Sequence, residues 1–200
     1  MIFFSCDKYY QNDKKNIDVE LLYNEKDSLI VLNINNLSQE NYLYMPYFQV
    51  GFPNHYQKGS IVNEDLLFIS DCQHLFINKL GQYDSRNNPW EEVNMKFDSL
   101  VKNLYHKSDL YQEYTQSNQK LVYLINANSK EKLTYKIMRN NVCDEKIKVK
   151  IILFNSFHQY KISIKNEQKK LYEKLTKTNF GKYNIYEDKF SGHDFIDIIY

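Results

Sequence analysis

Apolar and polar positions alternate along this chain in short stretches separated by turn-forming residues. Asp18-Val19-Glu20-Leu21-Leu22-Tyr23 alternates, Asn24-Glu25-Lys26-Asp27 interrupts, and Ser28 to Asn36 resumes with Ile30, Val31, Leu32 and Ile34. A period of two sends successive side chains to opposite faces of a strand, so these residues predict two strands and a tight turn. Tyr42 to Phe48 predicts another extended piece. Pro46 has no amide hydrogen to donate, which places this piece at a sheet edge or a strand end. Ser60-Ile61-Val62, Leu66 to Ser70 and Leu75-Phe76-Ile77 continue the strand signal towards Gly81.

The period then changes. Trp90, Val93, Phe97, Leu100, Val101 and Leu104 recur at helical spacing after Asn88-Pro89, which predicts a helix over 90–105. The competing reading is a short strand carrying Val93, Met95 and Phe97. Lys120 to Ile125 and Lys132 to Ile137 read as strands about a turn at Asn126–Lys130. Lys146 to Phe154 and Tyr160 to Lys165 alternate most cleanly, with lysines towards water. Glu167 to Lys177 predicts a short amphipathic helix with Leu171, Tyr172 and Leu175 inward, ended near Gly181. Tyr183–Tyr186 reads as a last strand, and Phe195–Tyr200 is apolar enough to pack down or pair at an edge. The sum is a mainly β fold, an antiparallel sandwich with one or two short helices. With no repeat and no linker past residue 16, residues 17–200 read as one domain.

The opening order is strand, acidic turn, a strand ending Ile34-Asn35-Asn36-Leu37-Ser38, then the Tyr-rich edge Tyr42 to Phe48 with its proline. Over residues 17–50 it resembles the first core strands of immunoglobulin-like β-sandwich domains of bacterial envelope proteins. The Cys…Trp…Cys spacing of antibody-type domains is absent.

The first residues, Met1-Ile2-Phe3-Phe4-Ser5-Cys6, are apolar up to a small residue and a cysteine, and Asp7 to Lys15 turns polar. This resembles the end of a bacterial lipoprotein signal, and with the chain's composition it is similar to envelope lipoproteins of Bacteroidota-type bacteria. The resemblance implies that Cys6 is lipidated, that residues 1–16 are signal, anchor and tether, and that the domain is held at the membrane of the cell envelope. Read without it, Ile2-Phe3-Phe4 is a short strand, Cys6 an ordinary buried thiol and the protein cytoplasmic.

Composition narrows the picture. The chain is 42% apolar and 16% aromatic, enough to build a core rather than a disordered segment. Eighteen tyrosines stand beside one tryptophan. Tyr, Ile, Asn and Lys all use A/T-rich codons, which accounts for the bias. The net charge is +1, with no block of like charges such as tracking a phosphate backbone requires, so nucleic acid is not an expected partner. There are three cysteines. With Cys6 lipidated, an oxidising compartment permits Cys72 and Cys143 to pair; the alternative is two separate buried thiols.

Candidate chemistry is sparse. His55, His74, His106, His158 and His193 are dispersed, and none has metal-ligand spacing, so no metal or other cofactor is expected. Five glycines form no phosphate-cradling motif. His193-Asp194 has the residue types for half of a general-base pair, since a carboxylate can orient imidazole, but no nucleophile motif accompanies it. Glu91-Glu92 suits a helix start. The aromatic group Tyr42, Tyr44, Tyr47, Phe48, Phe52, His55 and Tyr56 reads either as one face of the sandwich or as a contact surface for a protein or glycan partner, with Tyr42, Tyr44, Tyr47 and Phe48 its candidates. These observations favour a non-enzymatic envelope lipoprotein acting as a binding or scaffolding module. The alternative is a toxin-neutralising immunity protein, lipid-anchored or periplasmic.

Overall fold

The computed structural model describes residues 17–51, 66–69, 73–80, 90–105, 122–141 and 148–199. In chain order these form β1 (Ile17–Asn24), β2 (Leu29–Asn36), β3 (Asn41–Tyr44), β4 (Pro46–Gly51), β5 (Leu66–Ile69), β6 (Gln73–Leu80), α1 (Trp90–Tyr105), β7 (Tyr123–Ile125), β8 (Lys130–Asn141), β9 (Lys148–Asn155), α2 (Ser156–Ile162), α3 (Asn166–Leu175), β10 (Tyr183–Ile185), β11 (Ser191–His193) and β12 (Phe195–Ile199). The protein is mainly β, as its alternating pattern predicts.

The strands form three sheets: β11-β1-β2-β8-β6-β5, β10-β3-β7 and β12-β9-β4. The inward set of the six-stranded sheet includes Val19, Leu21, Ile30, Leu32, Ile34, Leu133, Tyr135 and Ile137. The same cluster takes in Phe48, Val149, Ile151, Leu153, Ile196 and Ile198 from the β4–β9–β12 sheet, and Tyr42, Tyr44, Tyr123 and Ile125 from the β3–β7–β10 sheet. This sheet-on-sheet core is compatible with a sandwich. Two pairings are parallel, β1 with β11 and β3 with β10. An all-antiparallel sandwich has neither.

The β3–β7–β10 sheet is covered on its second face as well. Leu43, Met45, Val122 and Leu124 alternate with the residues just named and join a second cluster containing Val93, Phe97 and Val101 of α1, Phe157 and Tyr160 of α2, and Leu171 and Leu175 of α3. A strand buried on both faces reads as a continuous apolar run, which explains Tyr42-Leu43-Tyr44-Met45. Each such side chain contributes roughly 1.5–3 kcal/mol on burial. Asn94 fastens α1 to this sheet, its Nδ2 donating to Val122 O and its Oδ1 accepting from Val122 N, both at 3.0 Å.

Two buried asparagines handle backbone groups that the sheets leave over. Asn155 Nδ2 donates to Tyr186 O at 2.6 Å and Asp188 O at 3.0 Å. Its Oδ1 accepts from Phe157 N at 3.3 Å, which caps α2. Met45 N lies 3.5 Å from the same oxygen. Asn36 Nδ2 donates to Glu40 O at 2.7 Å and Asn126 O at 2.9 Å, and its Oδ1 accepts from Ser38.

Several expectations change. Tyr160–Lys165 is not a strand. Asn155 starts a helix there, which buries Phe157 and Tyr160 three residues apart and leaves Ile162 57% and Ile164 100% exposed. The piece from Tyr42 to Phe48 is two strands in two sheets. It breaks at Met45, whose carbonyl accepts from Ser156 N at 2.8 Å. Pro46 opens β4, which pairs with β9 at the edge of its sheet, as a residue without an amide hydrogen should. Strand β8 is longer than expected, and β11 and β12 follow β10. Strand β12 takes the edge position beside β9 that the apolar tail predicts. The helix at 90–105 is as expected. Met95 is 65% exposed while Val93 and Phe97 are buried, which rules out the competing strand. Ser60–Val62 lies outside the described residues.

Replacing Asn155 by alanine removes a helix cap and two buried donors. We expect Asn155→Ala to lower the free energy of unfolding by about 3 kcal/mol. The exposed Asn184→Ala should stay within about 0.5 kcal/mol of the parent. Urea titration of both variants checks this, and an unchanged Asn155→Ala midpoint contradicts it.

Candidate functional site

The inward apolar set of β1, β2 and β8 forces the alternate residues of those strands onto the opposite face. That face is polar. Register places His193, Glu20, Asn33 and Lys132 in one row across β11, β1, β2 and β8. A second row, two residues along, holds Ser191, Asp18, Asn35 and Lys130. Both rows therefore read carboxylate, amide, ammonium across β1, β2 and β8. All of these except Ser191 line an open groove of about 640 Å³.

Within the groove Asn33 Nδ2 donates to Glu20 Oε2 at 2.9 Å. Ser191 Oγ lies 3.2 Å from Asp18 Oδ1 and 3.3 Å from Ile17 O. A carboxylate has about four lone-pair sites, so both acids keep acceptor capacity. Lys130, Lys132 and Asn35 have no side-chain partner among the described residues. The imidazole of His193 meets Phe195, with ring centroids 4.8 Å apart, and Lys150 Nζ lies over the Phe195 ring, 4.2 Å from its centroid.

Gly192 makes the parallel pairing of β11 with β1 achievable. It sits at φ +90°, and a Cβ there would lie 2.4 Å from Val19 O. Only glycine lets the two backbones approach this closely.

The expected contact residues sit elsewhere. Tyr42, Tyr44 and Phe48 are 2%, 0% and 8% exposed, and they belong to the core, where no partner reaches them. Tyrosine's ring packs like any aromatic, which outweighs its polar tip here. Tyr42 meets Tyr186 edge-on at 5.3 Å, Tyr44 stacks on Tyr123 at 5.6 Å, and Phe48 meets Tyr135 edge-on at 4.9 Å. Tyr47 is half-buried and stacks on Phe154 at 5.3 Å, and burial pushes its hydroxyl pKa up. Burial also pushes the Tyr42 hydroxyl up to about 12. That hydroxyl lies near Ser38, Glu40 and Tyr186 without a partner in bonding geometry.

Among the described residues no hydrogen bond joins the His193 ring to the Asp194 carboxylate, and the ring contacts Phe195 instead. His158 lies on α2, with Nδ1 3.1 Å from Glu187 O. Around it Lys161 pairs with Glu187 at 3.1 Å, and Tyr172 bonds the same carboxylate. Burial and the Glu187 contact raise the Tyr172 hydroxyl pKa. Glu91 and Glu92 open α1, and Glu92 pairs with Lys96 at 2.7 Å. Among the described residues no His, Cys, Asp and Glu gather in a metal-binding group. No helix among them is long and apolar enough to cross a membrane. Cys6, Cys72, Cys143, Phe52, His55, Tyr56 and His106 lie outside the described residues, as does the side chain of His74.

No protein-family model, curated protein or solved structure matches the chain.

Two outcomes follow from this geometry. Gly192→Ala should cost about 2 kcal/mol or more, because the new Cβ meets backbone at a φ that side chains resist. A thermal melt equal to the parent's would contradict the close approach. A native tyrosine whose pKa exceeds the ordinary 10 holds its proton longer than the unfolded chain does. That share of stability is complete below pH 10 and drains away as pH rises towards about 12. Tyr42→Phe removes both this titration and an unpaired buried hydroxyl. It should match the parent or exceed it by up to about 1 kcal/mol at neutral pH, and lose less between pH 10 and 12. Denaturant melts across that range test the sign.

Proposed function

We propose that this chain is a non-enzymatic binding module of the bacterial cell envelope, held at the membrane through Cys6, and that the polar face across β11, β1, β2 and β8 is its contact surface. The observation that carries the contact surface is the repeated carboxylate, amide and ammonium order in two adjacent rows over an open groove. Strand pairing fixes the spacing of these residues at the backbone, so a polar partner meets the charges in a set order across the face. Complementary charge of this kind selects a partner and sets its orientation more than it adds raw affinity. Support for the anchor is the sequence Phe3-Phe4-Ser5-Cys6 followed by a polar stretch that ends where Ile17 enters the core.

Two measurements in the native cell test this reading. Intact mass should show acyl chains on Cys6, with the protein in the membrane fraction, and Cys6→Ser should abolish both. An unmodified, soluble parent chain removes the anchor. Amine-reactive labelling of Lys130 and Lys132 should be weaker in the native envelope than in the purified protein. Equal labelling removes the contact surface.

A further inference from the structure

The spacing of the polar array suggests what it binds. Its acids stand on β1 (Asp18, Glu20), its amides on β2 (Asn33, Asn35) and its ammonium groups on β8 (Lys130, Lys132). Neighbouring strands lie about 4.8 Å apart, so the acid and ammonium columns are separated by about 10 Å at the backbone. An array with both signs of charge suits a ligand that carries both, and the two lysines, which have no side-chain partner among the described residues, stand ready for an anion. Primary amides stand between the columns. Each offers a donor and an acceptor, the complement of a peptide bond.

We infer that the groove binds short peptides with free termini, about three residues long, laid across the strands. The reading rests on the polar face being the contact surface. Three extended residues span about 10 Å, which matches the distance between the columns. The peptide ammonium meets Asp18 or Glu20, its backbone meets Asn33 or Asn35, and its carboxylate meets Lys130 or Lys132. The two rows offer the same sequence of groups, so either holds a peptide. Recognition through termini and backbone leaves the peptide's own side chains pointing to solvent, so selectivity is for length and free ends rather than for sequence.

Trialanine titrated into the full chain, followed by backbone amide resonances, tests this directly. Resonances of residues 18–20, 33–35, 130–132 and 191–193 should move. N-acetyl-trialanine and trialanine amide should each bind about tenfold or more weaker, since each loses one charge-assisted contact. Asp18→Asn/Glu20→Gln should remove the discrimination against the acetylated peptide, and Lys130→Met/Lys132→Met that against the amide. No shift at millimolar trialanine, shifts elsewhere on the chain, or equal affinity for the doubly blocked peptide overturns the inference. The blocked peptides make this test on the parent protein, so it does not depend on any variant folding. If trialanine fails while Lys130 and Lys132 remain shielded in the native envelope, the ligand class falls and the contact surface stands.

Discussion

Strands β3 and β7 have core on both sides. Tyr42, Tyr44, Tyr123 and Ile125 face the sandwich cluster, and Leu43, Met45, Val122 and Leu124 face the helices. A backbone enclosed this way has no water to satisfy it, so every leftover amide and carbonyl needs a protein partner. The chain supplies those partners with a few asparagines. Asn155 reaches the passage after β10, caps α2 and stands beside Met45 where the chain leaves the sheet. Asn36 joins the end of β2 to the loops before β3 and after β7. Removing one partner of such a buried bond costs far more than the bond's net worth, because the other is left desolvated.

This constraint carries through to the polar face. With one side of the six-stranded sheet committed to the core, Val19, Leu21, Ile30, Leu32 and Leu133 must point inward, and the acids, amides and lysines between them must point out. A slip of one residue in register would exchange the two sets, so core and groove are fixed together. Tyr186 ties the return of the chain to this sheet. Its hydroxyl accepts from Ile17 N at 3.1 Å and donates to Lys189 O at 2.9 Å, close to where β11 settles against β1. Gly192 then allows the backbone contact that brings His193 across from Glu20.

How far the sequence foretells all this depends on the range of the interaction. The hairpin β1–β2 is readable because alternation and an Asn-Glu-Lys-Asp turn are local signals. Helix α1 is readable because six spaced apolar residues, Trp90 to Leu104, agree on one face. Tyr160-Lys161-Ile162-Ser163-Ile164 misleads, since an apolar residue at every second position also occurs when two of three are simply left in water. The decisive signal there is Asn155, an N-cap whose other duties lie some 30 residues away. Tyr42 and Tyr44 look like contact residues because tyrosine serves surfaces and cores alike. The polar array was hidden for a different reason. Glu20 meets His193 and Asn33 meets Lys132 only through strand pairing between distant parts of the chain, and no local spacing reports it.

Amide hydrogen exchange of the folded protein tests the central claim most directly, that the doubly covered sheet is what the rest depends on. Amides of Leu43, Tyr44 and Leu124 should exchange only through global unfolding, with an opening free energy equal to that from denaturant titration. Amides near the free ends of the six-stranded sheet should open more easily. If the amides of β3 and β7 exchange more readily than those of β1 and β2, the small sheet is a late addition to the core and the account is wrong.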